Sequence, residues 1–194
     1  MLAYVLWHWP VSGVPVGDYE MASADLHAAL AAPGRTAAPA FGLLSSVTWQ
    51  VAAVPWGPPY GRCYADWYLA NDFASLEALN EAAVSGSRRG PHDRVAVLSG
   101  GGVGGLYRLR TGASDPVAGV EAWFAKPPGW SYPDLDCLLE ATFMSDPASS
   151  VWQRQLVLGP GLEFCLATRH PDVAAALPEV LNAVTITRNA LPTA

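Results

Sequence analysis

GRCYADWYLANDFASLEALNEAAVSGSRRGPHDRVAVLSGGGVGGLYRLR, residues 61–110, sets the order of elements from which the fold is read. Residues 63–70 are dense in aromatic and apolar side chains and read as a strand. Asp72 then stands where a helix cap is needed, and Phe73, Leu76, Asn80 and Ala83 recur at helical spacing on one face. Residues 88–94, Arg-Arg-Gly-Pro-His-Asp-Arg, read as a basic turn, and residues 104–110 return as a strand.

Upstream, residues 2–9 alternate as a strand that Pro10 ends. Residues 19–31 read as a helix capped by Asp18, with Tyr19, Ala22, Leu26, Ala29 and Leu30 on its apolar face. A loop at 32–40 leads into a strand at 43–54, and the turn 55–61 reverses it. The first part is therefore βαββαβ, the ferredoxin-like split βαβ. After a linker at 111–118 the order begins again: strand 119–126, helix 134–141, strands 151–158 and 162–169, helix 172–180, strand 183–188. Two units follow, residues 1–112 and 113–194.

Residue-level echoes accompany the repeated order. Trp7-x5-Gly13-x4-Asp18 matches Trp123-x5-Gly129-x4-Asp134, Ser46-Val47-Thr48-Trp49-Gln50 resembles Ser150-Val151-Trp152-Gln153, and Asp72-Phe73-Ala74 resembles Asp172-Val173-Ala174. A four-stranded sheet with helices on one face leaves its other face bare, and an apolar bare face must be covered. Two such sheets in one chain can cover each other, with a cavity expected between them. This α+β layout resembles the dimeric α/β-barrel superfamily: EthD-like, NIPSNAP-like and antibiotic-biosynthesis-monooxygenase-like proteins and the two-repeat chlorite-dismutase-like haem proteins. The resemblance covers nearly the whole chain in element order and contains no motif specific to one member, so it speaks to fold more than activity.

With 51% hydrophobic residues and 8 Trp, 7 Tyr and 5 Phe, the 194 residues can bury a sizeable core. A net charge of −6 argues against nucleic-acid or anionic-membrane partners, which need a cationic face. Lys126 stands alone against ten arginines. Cys63, Cys137 and Cys165 form no paired or zinc-like spacing and read as reduced core thiols of a cytoplasmic, bacterial-type protein. The apolar start lacks a basic region and meets Pro10 too early for a signal peptide, and no run is long enough to span a membrane.

Residues that repeat in both halves are scaffold, because both halves must fold. Polar residues whose counterparts are apolar are the functional candidates. His8 corresponds to Phe124, Tyr64 to Phe164, Asp66 to Leu166 and Tyr68 to Thr168. By alternation Tyr64, Asp66 and Tyr68 share a face, and His8 can join them from the neighbouring strand in one wall of the expected cavity. His8 is then a candidate base, Asp66 its orienter, and Tyr64 or Tyr68 a hydrogen-bond donor. A buried His–Asp bond that satisfies two polar groups is the plainer alternative. Trp9, Trp67 and Gln50 are added as ligand contacts, with Arg88, Arg89 and His92 as an anion-binding or merely solvated basic turn.

Residues 100–105 contain G-x-G-x-x-G, but a strand follows where a dinucleotide site needs a helix, so the glycines read as close packing or a bulge. No two of His8, His27, His92 and His170 have metal-ligand spacing, and no metal is expected. No organic cofactor is expected either. The resemblance to chlorite-dismutase-like proteins implies haem as a minor alternative, against which the helix 134–141 lacks a histidine. The functional expectation is binding of a small hydrophobic or aromatic molecule, with cofactor-independent oxygenation or isomerisation as the reaction if the chain is an enzyme. A non-enzymatic accessory or stress protein with a filled barrel is the rival, and a homodimer is left open.

Overall fold

The computed structural model describes residues 1–31, 42–58, 61–114, 119–143, 146–156 and 159–191. The loop expected at 32–40 lies outside them, as do residues 59–60 of the expected turn, 115–118 of the linker and 157–158 of the expected strand end. Among the described residues eight strands carry the fold: β1 (Leu2–Pro10), β2 (Leu43–Val51), β3 (Cys63–Ala70), β4 (Ser99–Gly112), β5 (Val120–Phe124), β6 (Ser150–Leu156), β7 (Phe164–Thr168) and β8 (Val184–Ala190). The α-helices are α1 (Val16–Ala31), α2 (Phe73–Ala83), α3 (Arg89–Leu98), α4 (Tyr132–Phe143) and α5 (Pro171–Ala175).

The strands close into one antiparallel barrel in the order β1-β3-β2-β8-β5-β7-β6-β4. Within residues 1–112 the order is β4-β1-β3-β2, and within 113–194 it is β8-β5-β7-β6, the same arrangement of first, second, third and fourth strands. Two seams join the halves, β2 with β8 and β4 with β6. The cavity expected between two facing sheets is thereby corrected. The sheets are continuous through both seams, and the enclosed space is filled with side chains.

Strand parity divides the residues between inside and outside. Facing the barrel interior are Ala3, Val5 and Trp7 of β1, Ala65 and Trp67 of β3, Trp49 of β2, Tyr107 of β4, Trp123 of β5 and Trp152 of β6, all buried in one cluster. Trp7 meets Trp123 edge-on at 5.0 Å, and Trp56 meets Trp7 at 5.1 Å. Edge-to-face pairs of this kind are favoured by the ring quadrupoles. Among the indoles lies an ion pair, Arg188–Glu121 at 3.0 Å, both side chains fully buried. Glu121 also accepts from Trp67 Nε1 at 3.0 Å and Trp123 Nε1 at 2.7 Å. Burial raises the Glu121 pKa, and Arg188 and the two indoles hold the rise in check.

The helices cover the outer face. Asp72 caps α2 as expected, accepting from the Ser75 backbone N–H at 2.8 Å. Asp134 is not itself a cap: Ser131 precedes α4, and Asp134 reaches back to the Ser131 N–H at 2.9 Å in a reciprocal capping box. Gly13 and Gly129, the glycines of the repeated motif, both take left-handed backbone (φ 88° and 83°) in the loops that lead into α1 and α4. The basic turn at 88–94 is corrected to the start of a helix. Pro91 falls in the first turn of α3, where a missing N–H breaks no helical bond, so Gly-Pro does not end the segment. The two strands expected at 119–126 and 162–169 are shorter, and the helix expected at 172–180 ends at Ala175 before a 3₁₀ turn at Glu179–Leu181. Cys63 and Cys165 are buried thiols, and Cys137 is exposed.

Candidate functional site

β1 and β3 pair antiparallel with Tyr4 opposite Tyr68, Leu6 opposite Asp66 and His8 opposite Tyr64. The even-numbered residues of both strands therefore share one face, as alternation predicts. That face is the outer one, beneath α1, α2 and α3, and not the barrel interior. Between sheet and helices lies a cavity of about 620 Å³. Tyr4, Leu6, His8, Asp66 and Tyr68 contribute to its floor. Phe73, Leu76, Asn80 and Ala83 of α2, the set that shares a face by helical spacing, line its roof together with His92 and Val95 of α3. Gly104 on β4 admits the Tyr4 ring, since a Cβ there would lie 3.1 Å from the Tyr4 hydroxyl.

Asp66, 4% exposed, is the hub of the polar floor. Thr48 donates to its Oδ1 at 2.7 Å and Tyr68 to its Oδ2 at 2.8 Å. His8 Nε2 lies 3.0 Å from Oδ1, and His8 Nδ1 lies 2.6 Å from the Tyr19 hydroxyl. With Nε2 protonated, His8 donates to Asp66 and its Nδ1 accepts from Tyr19. His27 stacks on Tyr68 (5.2 Å, 10°) and brings its Nε2 to 3.3 Å from Asp66 Oδ1, outside hydrogen-bond geometry. Burial alone would raise the Asp66 pKa, but the adjoining His8 and His27 outweigh it and hold the carboxyl well below its usual range. Tyr68 is pushed well above the usual phenol value by burial and by the Asp66 carboxylate it bonds. Tyr19 is raised to about 12, chiefly by burial, with Asp66 adding to the rise and the Ser99 hydroxyl opposing it.

The other expected contacts fall elsewhere. Tyr64 shares the outer face, stacked on His8 at 5.7 Å, but donates to Glu20 at 2.9 Å and does not line the cavity. Trp67 is corrected to the barrel interior, because odd positions of β3 point the other way. Trp9 has the same parity as Trp7 and packs beside Gly101 at the strand end. Gln50 pairs with Tyr64 and Asn189 in the sheet, beyond the lining residues. Arg88 donates to the Ala29 carbonyl at 3.1 Å and Arg89 pairs with Asp93, while His92 alone of that segment reaches the cavity. Among the described residues no group of three or more His, Cys, Asp or Glu is placed to hold a metal ion. No helix among them is long and apolar enough to cross a membrane.

Tyr19 and His27 complete the cluster and were absent from the candidates read from sequence. A signal for them exists: Tyr19, Ser23, Leu26, His27 and Leu30 follow the 3.6-residue period of one buried stripe. Helix phase therefore carries both rings to the sheet.

No protein-family model matches the sequence, and no curated protein matches it. Solved structures do. A candidate monooxygenase from Fusobacterium nucleatum superposes with TM-score 0.61 at 9% identity, covering 98% of this chain and 93% of that one. A candidate monooxygenase from Lactobacillus acidophilus gives 0.59 at 7% identity over 97% and 93%. An anthrone oxidase-like protein gives 0.53 at 9% identity over 98% and 91%. A candidate chlorite dismutase gives 0.54 at 10% identity over 96% and 93%. Likeness at such identity speaks of fold and not of activity. The chain shares the overall architecture of these four structures along nearly its whole length.

Proposed function

We propose that the protein binds a small, hydrophobic, aromatic-sized molecule in the cavity between the outer face of β1, β3 and β4 and the helices α1–α3. The observation that carries this reading is the cavity itself: about 620 Å³, apolar along most of its wall, with a few convergent polar groups around Asp66. Ligand sites have that build. The filled barrel interior agrees with the accessory-protein rival, whereas open space beside His8 counts against its expectation of no room for a ligand. The same reading takes residues 1–112 and 113–194 as two copies of one unit, the first of which acquired the polar floor.

The test is saturable binding of an environment-sensitive apolar dye. Native protein is expected to bind one equivalent, and Ala83→Trp, which puts an indole into the roof, is expected to weaken binding at least about tenfold. Undiminished binding by that variant contradicts the reading.

A second reading, cofactor-independent oxygenation with dioxygen as oxidant, is favoured by the hydrogen-bond chain Asp66–His8–Tyr19, which continues to Ser99 on the cavity wall at 3.5 Å. Both ring nitrogens of His8 are engaged, so a substrate proton would reach Nδ1 through Tyr19, with Ser99 turning its hydroxyl from the Trp9 and Gly101 carbonyls to donate to the Tyr19 oxygen. Asp66 orients the ring. Oxygen uptake with phenolic compounds that Tyr19→Phe abolishes supports this reading, and uptake indifferent to that change discards it. Haem, implied by the resemblance to chlorite-dismutase-like proteins, does not fit this cavity. Both ring nitrogens of His8 are engaged, the other lining histidine, His92, sits on α3 bonded to Asp93, and the described lining offers Asp66 and Glu77 but no lysine or arginine for the propionates.

A further inference from the structure

We infer that the cavity selects an uncharged apolar molecule carrying a hydrogen-bond donor, such as a phenol, and rejects the matching carboxylate. This rests on the binding reading above and goes further, to the charge and hydrogen-bonding sense of the ligand.

Charge comes first. Asp66 and Glu77 line the cavity, and among the described residues no lysine or arginine does. The basic residues nearest in sequence to the α3 wall are engaged away from it: Arg88 with the Ala29 carbonyl at 3.1 Å, Arg94 with Asp25 at 2.6 Å, Arg89 with Asp93 at 3.4 Å. A ligand carboxylate entering here would give up its hydration and meet no lysine or arginine among the described lining residues, with His92 the one basic side chain there besides the engaged His8. Burying an unpaired charge is among the costliest events in a protein interior.

The direction of the floor's hydrogen bonds then sets the ligand's polar group. Thr48 and Tyr68 spend their hydroxyl protons on Asp66, and His8 spends its Nε2 proton there. His8 Nδ1 is held by Tyr19. Of these groups, the two that line the cavity with oxygen, Tyr68 and Asp66, offer lone pairs and not protons. At Tyr68 and Asp66 a donor on the ligand finds an acceptor, whereas an acceptor placed there faces another acceptor; beyond His8 and Glu77, the other polar groups of the lining are Tyr4, Asn80, His92 and Ser99. A pocket that must satisfy buried polar groups discriminates strongly against the analogue lacking the partner atom.

Three probes of one size separate the possibilities in calorimetric titrations of the full chain at neutral pH: 2-naphthol, its methyl ether and 2-naphthoate. The expected result is binding of 2-naphthol, binding of the ether weaker by about tenfold, and binding of the naphthoate weaker by on the order of a hundredfold. Tyr68→Phe is expected to reduce the advantage of naphthol over the ether. Glu77→Arg, a change at an exposed rim position, is expected to recover naphthoate binding by about tenfold or more. Naphthoate bound as tightly as naphthol overturns the inference and leaves the binding site standing. Equal binding of naphthol and its ether overturns the hydrogen-bonding part. Failure of all three probes to bind a protein that melts as the native one does overturns the site, and the inference with it.

Discussion

On the outer face of residues 1–112, His8 stacks on Tyr64 at 5.7 Å; at the corresponding place in residues 113–194, Phe124 stacks on Phe164 at 5.5 Å. The pairing is equivalent throughout: Leu6 opposite Asp66 and Trp7 opposite Ala65 in one half, Ala122 opposite Leu166 and Trp123 opposite Cys165 in the other. Beneath α4 and α5 the second face is packed by Phe124, Leu135, Leu139, Phe164 and Leu166. Beneath α2 and α3 the first face keeps open volume and a carboxylate. The barrel itself does not require polar residues at positions 8, 64 and 66, since the second half builds the same pairing from apolar ones. In the first half His8, Thr48 and Tyr68 are satisfied through Asp66, at the edge of the open volume.

The largest effect comes from converting one face toward the other in steps. Asp66→Leu alone should cost about 3–5 kcal/mol in urea unfolding, because His8, Thr48 and Tyr68 lose their acceptor inside the protein. His8→Phe combined with Asp66→Leu reproduces the second half's pair and should recover at least half of that loss. A double variant no more stable than the single one would break the equivalence of the two faces.

Next in size is a matched pair of truncations. Leu139→Ala, in the packed face, should cost about 3 kcal/mol or more, whereas Leu79→Ala, beside the cavity, should cost about 2 kcal/mol or less. The difference arises because Leu79 already borders open volume. Equal costs would mean that the first face is as tightly filled as the second.

Acid titration gives a smaller effect with a fixed sign. The Asp66 pKa is depressed in the folded chain, so its contribution is fully present above about pH 4, the unfolded value. It is lost as pH falls below that value through the folded pKa. The stability gap between native protein and the double variant should accordingly shift in the variant's favour below about pH 4. A gap constant down to pH 2 would contradict a buried, ionised Asp66. Smallest of all, Tyr64→Phe should cost about 1 kcal/mol, since it removes a single partly buried hydrogen bond to Glu20 and keeps the stack on His8.

Much of this contrast was legible in the sequence. Alternation put Tyr64, Asp66 and Tyr68 on one face, the tryptophan and aspartate registers aligned His8 with Phe124 and Asp66 with Leu166, and both pairings hold in the strands. Which side of the sheet that face takes was not legible. Both sides of β3 are buried, so the usual polar-out signal is missing. The cavity was accordingly expected between sheets, where Trp7, Trp67, Trp123 and Trp152 in fact meet. Helix α3 was hidden by Gly90-Pro91, which signals a turn except in a first helical turn. Tyr19 was read as apolar stripe alone, although its hydroxyl at 2.6 Å from His8 is what ties α1 to the floor.

Xenon tests the contrast between the faces most directly, because the gas enters apolar voids without needing a specific ligand. A crystal structure under xenon pressure is predicted to show occupancy between the floor of Leu6 and Tyr68 and the roof of Leu76, Leu79 and Val95. None is predicted among the barrel indoles or beneath α4. Xenon inside the barrel, with none under α2 and α3, would contradict the assignment of the binding site to the outer face.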